Sequence, residues 1–147
     1  MPTFADVPWI AEHIKLYQTD PEKAHMWDSS VAGGPGPLPT LLLTTIGRKS
    51  GKPRPIPLIY QEVEAGYSVI ASKGGMPSHP LWYENLLVTP DCRLQVGAQS
   101  LLARARTVEG EEREKIWRHM AELYPPYDDY QARAGRTIPV VFLEPIG

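Results

Sequence analysis

The chain has one cysteine, Cys92, among 147 residues. That excludes an internal disulfide framework and a cysteine-ligated metal site. Cys92 opens a strand-like run and reads as a small apolar core residue. Phenylalanine is scarce, with two residues, so the aromatic weight falls on seven tyrosines and four tryptophans, rings that carry a polar handle. No apolar run approaches the ~20 residues of a membrane span. No basic–apolar–small leader pattern opens the chain. Neither sign of charge dominates: the formal net charge is −2, too little for a global field that gathers nucleic acid. The histidines are scattered without metal-ligand spacing, and no order of serine, histidine and aspartate suggests a hydrolase. These absences lead us to expect a cytoplasmic protein with no metal, no nucleic-acid partner and no transmembrane segment.

Proline and glycine are plentiful instead, at 16 and 12 residues, and dispersed as punctuation between short elements. Residues 8–17 have a helical stripe in Ile10, Ile14 and Tyr17. Gln18–Pro39 reads as a long loop. Three strands are expected at Thr40–Ile46, Arg54–Gln61 and Tyr67–Ser72. Pro55 and Pro57 put the second of them at an edge. A short helix from Pro80 to Val88 and strands at Cys92–Val96 and Ser100–Val108 follow. Helical segments at 110–123 and 126–134 and a last strand, Ile138–Leu143, close the chain. The length fits one domain. The short connections predict an α+β fold, a mostly antiparallel six-stranded barrel with peripheral helices. We divide it into an N-terminal helix and loop over residues 1–39 and a barrel over residues 40–147.

Positive charge is local. Arg48, Lys49, Lys52 and Arg54 crowd the run GRKSGKPR, and Lys73 sits in ASKGGMPSHPLWYENL. Each run sets cations beside glycines and small hydroxyls, a loop chemistry that wraps an anion in backbone N–H groups. Two such loops at neighbouring strand ends suggest a cleft for a long, multiply charged ligand. Trp82 and Tyr83 are adjacent on a helix, so one belongs to the core and the other to the cleft. Tyr124, Tyr127 and Tyr130 repeat every third residue on a proline-broken helical segment.

The segments TTIGRKSGKPR (Thr44–Arg54), PIPLIY (Pro55–Tyr60), ASKGGMPSHPLWYENL (Ala71–Leu86) and YPPYDDYQARAGRTIPVVFLEP (Tyr124–Pro145) together resemble the deazaflavin-dependent nitroreductase family. These are split-barrel proteins related to the flavin-binding split barrels, and they use coenzyme F420. The resemblance runs from about Thr40 to the C-terminus. It implies that Arg48, Lys49, Ser50, Gly51, Lys52 and Arg54 hold the phosphate and the start of the oligoglutamate tail of F420. Ala71, Ser72, Lys73, Gly74 and Gly75 would bring backbone N–H groups and a further cation to the same charges. Pro55, Ile56 and Pro57 would lie along the flat deazaflavin, an unpaired edge offering backbone groups to the ring carbonyls. His79, Trp82, Tyr83 and Asn85 would line the cleft. Tyr124, Tyr127 and Tyr130 would cover the acceptor pocket, with Ser72 in the catalytic set.

The function so implied is hydride transfer from F420H2 to an electron-poor organic acceptor: a quinone, an enone or unsaturated lactone, and nitroaromatics adventitiously. Two other functions stay open at this point: an FMN-dependent split-barrel reductase, and a non-catalytic protein that binds a cofactor or ligand. Monomer and dimer are both compatible with the sequence. The N-terminal helix leaves room for weak association with a membrane surface, although its charges offer anionic lipid little.

Overall fold

The computed structural model describes residues 8–32, 34–63 and 65–146. It begins with helix α1 (Pro8–Thr19) and the single turn α2 (Pro21–Ala24), followed by strands β1 (Met26–Asp28), β2 (Pro37–Ile46), β3 (Pro53–Ile59), β4 (Gln61–Val63) and β5 (Gly66–Ile70). Helix α3 (Leu81–Val88), strands β6 (Asp91–Val96) and β7 (Gln99–Val108), helices α4 (Gly110–Leu123) and α5 (Pro126–Ala134), and strand β8 (Val140–Ile146) complete it. All strand pairs are antiparallel. The order across the sheet is β1-β2-β6-β7-β8-β5-β4, with β3 on the other edge of β2. The chain passes from β3 to β4 across Tyr60 alone. The sheet therefore curls back on itself and stays split beside β3.

Eight strands replace the expected six. The segment 18–39 is not one loop: it holds α2, β1 and a 3-10 turn, and β2 starts at Pro37 rather than Thr40. The extra strands β1 and β4 are three residues each, too short for an alternating pattern to register. Only Gln61 of β4 falls within the expected strand Arg54–Gln61; the ladder breaks at Tyr60, whose hydroxyl meets His25 Nε2 at 2.7 Å. β5 ends at Ile70 and β8 begins at Val140, two residues inside the expected limits.

The core explains the apolar run of β2. Leu41 and Leu43 face the barrel interior with Val69, Leu94, Val141 and Leu143. Leu42 faces the other way, onto Ile10, Ile14 and Tyr17 of α1. A strand covered on both faces needs no polar alternation. A further cluster, with Ile116, Met120, Tyr124, Tyr127 and Phe142, lies beneath α4 and α5.

The prolines of β3 stand where the ladder can spare them. Tyr60 N–H donates to Pro39 O (3.3 Å) and Gly47 N–H to Lys52 O (2.9 Å), and both pairs obey the β2–β3 register. Hydrogen-bonded pairs are then Leu41/Leu58, Leu43/Ile56 and Thr45/Arg54. Pro53, Pro55 and Pro57 fall between them and turn their backbone away from β2. From Pro53 to Pro57 that outer edge presents carbonyl oxygens and no N–H; the first N–H on that side belongs to Ile59.

α1 is tied down by polar contacts. His13 Nε2 lies 2.8 Å from Ala24 O, a carbonyl that only accepts, so the proton sits on Nε2. The Tyr17 hydroxyl donates to Thr40 O. Burial is the larger influence on His13 and holds its pKa below the ordinary 6.5, against the Ala24 bond, which raises it. Such a group favours the folded state above the unfolded imidazole pKa and loses that contribution as pH falls through its own lower value. The melting temperature should therefore fall below pH 6.5. In His13→Gln, which keeps a donor for Ala24 O, the loss should be shallower. A pair of melting-temperature curves between pH 5 and 8, parallel in both proteins, would remove His13 from the explanation.

Candidate active site

The hairpin between β2 and β3 carries the basic run, and its turn is possible because Gly51 takes φ +69°. Asn85 on α3 holds the hairpin in place. Its Oδ1 accepts from Arg48 N–H at 3.1 Å, and its Nδ2 donates to Thr45 Oγ1 at 3.0 Å. Ser50 Oγ accepts from Lys52 N–H and from Arg54 Nη2. Arg48 pairs with Glu84 at 3.4 Å. Arg48, Lys49, Ser50, Arg54, Pro55 and Asn85 line a cavity of about 290 Å³ that ends at Ile56 and Trp82. Gly51 and Lys52 project from the tip, exposed and outside this lining.

Ile56 and Trp82 also line a second cavity, of about 250 Å³. The two hollows adjoin there. The second is bounded by Pro57 and by the loop residues Ser72 and Lys73. Tyr124, Tyr127 and Tyr130 close it from α5 and its approach, and Ile10, His13, Trp27 and Thr40 from the N-terminal segment. The expected cations and the expected tyrosines thus meet along one groove, with the flat indole of Trp82 at the junction.

The loop after β5 is unusual in its backbone. Lys73 adopts φ +48°, the left-handed region, and among the described residues it alone does so without being glycine. Its Nζ donates to Ser78 Oγ at 3.2 Å. Gly75 has φ +83°, and a Cβ there would stand 2.9 Å from the Tyr130 Cα. This glycine is therefore required for close packing on α5 as well as for its dihedral. Ala71 and Gly75 lie in or beside this turn without lining either cavity; Gly74 falls within the turn.

Tyr124 and Tyr127 are kept protonated. Burial raises the pKa of Tyr124 well above the phenolic range, and its hydroxyl contact with Tyr130, at 2.8 Å, pushes the same way. Burial does the same to Tyr127, the neighbouring Tyr124 and Tyr130 adding to it. The cavity thus holds neutral hydroxyls at Tyr124 and Tyr127, with Lys73 on the same lining.

The similarities to known proteins follow this geometry. A model of the F420H(2)-dependent quinone reductase family matches residues 22–145. The chain belongs to this family. The F420H(2)-dependent quinone reductase Rv1261c of Mycobacterium tuberculosis is 38% identical over 112 residues, covering 74% of this chain and 75% of that one. A solved F420-H2 dependent reductase, FDR-A, is 46% identical and superposes with a TM-score of 0.66, covering 71% of this chain and 93% of that chain. A structure described as a domain-swapped dimer is 40% identical with a TM-score of 0.70, covering 93% and 98%. Family membership makes the chain an oxidoreductase with coenzyme F420 as its cofactor and gives it the split-barrel fold. Of the three functions left open above, it selects the first. No helix among the described residues is long and apolar enough to cross a membrane.

Within this family's fold, several residues behave otherwise than the sequence suggested. Tyr83 turns into the core, its hydroxyl 2.8 Å from Thr107 Oγ1, while Trp82 takes the cleft. His79 lines neither cavity; its Nδ1 accepts from Arg136 at 3.0 Å. The stretch Pro53–Pro57 of the outer edge of β3 cannot serve ring carbonyls, because its prolines have no N–H to give. It can only accept, from a ring N–H or a hydroxyl. Ile10, His13, Trp27 and Thr40 reach the second cavity through long-range packing that no local pattern announces. Arg136 is likewise not marked as a site residue by its local pattern, although the preceding Gly135 marks the end of a helix.

Asn85 is 5% exposed and serves two partners. Asn85→Ala leaves Thr45 Oγ1 and Arg48 N–H without their partner, and should cost about 1–3 kcal/mol of stability. Denaturant unfolding measures it; an unchanged midpoint would mean water replaces the amide without loss.

Proposed function

We propose that this protein binds F420H2 with its anionic tail along Arg48, Lys49, Ser50 and Arg54 and passes a hydride to a quinone seated beneath Tyr124, Tyr127 and Tyr130. What supports this most is the adjoining of the two hollows at Ile56 and Trp82, one cationic and one lined by apolar and tyrosine side chains.

The residues present fit such a cofactor. Three cations on one hairpin exceed what a single phosphate needs and suit a phosphate followed by carboxylates. Ile56 and Trp82 offer flat apolar contact to a ring system. The acceptor-only edge of β3 suits a ring that carries N–H or O–H donors. When bound, reduced deazaflavin supplies a hydride and avoids one-electron steps. The chain's own work is placement and proton supply. Donor and acceptor must be held in contact, and the walls of the second cavity exclude water from them. The paired hydroxyls of Tyr124 and Tyr130 place an O–H donor at the cavity wall, where a quinone oxygen gains charge as it is reduced. Burial raises the Tyr124 pKa above the ordinary phenolic value and keeps that proton in place at neutral pH. Ser72, 9% exposed at the cavity wall, offers a further hydroxyl.

The same pocket suits enones and unsaturated lactones, whose carbonyl oxygens need the same donor. Nitroaromatics fit as adventitious acceptors. On this reading Lys49→Ala and Arg54→Ala each weaken F420 binding by about 1–2 kcal/mol at low salt, because a charge-assisted contact is lost. The penalty shrinks as ionic strength rises, since both side chains are exposed. Fluorescence titration with F420 reads this directly, and equal affinities in all three proteins would refute the hairpin's role. For the acceptor end, Tyr130→Phe should leave F420 affinity intact and lower turnover with menadione. A variant that turns over like wild type would free Tyr130 from proton supply.

A further inference from the structure

We propose that Arg136 is a positioning residue that fastens the Lys73 loop to the tyrosine helix, so that cofactor and acceptor are gripped by one rigid unit. The inference rests on the F420 reading above.

Arg136 follows Gly135, whose φ of +67° ends α5. Its guanidinium fans out into the loop. Nε donates to Met76 O at 3.1 Å, and Nη1 to His79 Nδ1 at 3.0 Å. Nη2 donates to Ala71 O at 3.3 Å and to Ser72 O at 3.1 Å. One planar, preorganised fork thus spans the turn from its first residue to its last. The loop has few such ties of its own: Gly75 N–H donates to Ser72 O and Met76 N–H to Lys73 O. It nevertheless holds Lys73 in a sparsely populated conformation, which persists only where the surroundings over-determine it. Arg136 supplies that restraint from outside.

The clamp is itself anchored. Gln131 Nε2 donates to Arg136 O at 2.6 Å, while Gln131 Oε1 accepts from Ile138 N–H at 2.9 Å. A second contact joins the same two parts, the close approach of Gly75 to the Tyr130 backbone. Arg136 lines neither cavity, so it acts through the loop and not on a ligand. It also fixes the protonation of His79. A nitrogen accepting from Arg136 cannot carry a proton, so the imidazole is neutral with its hydrogen on Nε2. Burial and then the Arg136 charge hold the His79 pKa below 6.5, with Glu84 opposing and the Tyr83 ring packed at 5.0 Å.

The test uses Arg136→Met, Arg136→Lys and Gly75→Ala, each checked for a cooperative melt. F420 affinity is read by fluorescence titration and the His79 titration by NMR on ligand-free protein. Arg136→Met should raise the F420 Kd tenfold or more and move the His79 pKa up towards 6.5. Arg136→Lys should fall between it and wild type. Gly75→Ala should weaken F420 binding comparably with Arg136 untouched, and it carries the test if Arg136→Met fails to fold. A folded Arg136→Met with wild-type affinity and an unmoved His79 titration overturns the proposal, as does wild-type affinity in Gly75→Ala. If wild type itself fails to bind F420, the functional reading falls. The His79 titration then still decides whether the clamp operates.

Discussion

The barrel is open where β3 has nothing to donate. Three prolines on alternate positions strip the N–H groups from one side of that strand, while the intervening residues keep the ladder to β2 intact. A strand with donors on that side would pair with a neighbour or recruit another chain. This one has no N–H to give from Pro53 to Pro57 on its free side, and the gap beside it is where the proposed cofactor ring would lie. Ile56 and Pro57 then form the floor of the groove, Trp82 its junction, and the loops at either end its grips.

Those grips differ in chemistry because they differ in exposure. The hairpin cations stand in water and attract charge without a large desolvation cost. The tyrosines stand in an apolar enclosure that disfavours any phenolate and so conserves O–H donors. On the proposed reading, the hairpin end takes an anionic tail, and the second hollow, apolar apart from Lys73 and its hydroxyls, takes a neutral ring.

Much of this was legible in the sequence, and for identifiable reasons. The basic hairpin could be read because Gly47, Gly51 and four cations fall within a few residues. The tyrosine segment could be read because its spacing is regular. The prolines of β3 announced an edge. What escaped was long-range. β1 and β4 are too short to show a period, and β1 exists only because β2 extends far enough to pair with it. His13 and Trp27 join the second cavity through the way α1 and β1 fold over β2, a relation between segments and not a property of either. Arg136 sat within a recognised motif, yet its role depends on where Gly135 sends the chain. The polarity of the free β3 edge needed the register, which fixes which side each proline faces.

The ion pair between Arg48 and Glu84 has a bearing on residence time. With each side chain about a third exposed, the carboxylate is an internal competitor for the guanidinium. On the proposed reading, an arriving tail displaces it and a departing one is replaced at once, so Arg48 is not left bare on the way out. The net gain on binding is then smaller than the contact itself would suggest, and the barrier to release lower. A self-quenching contact of this kind favours exchange of the ligand over its retention.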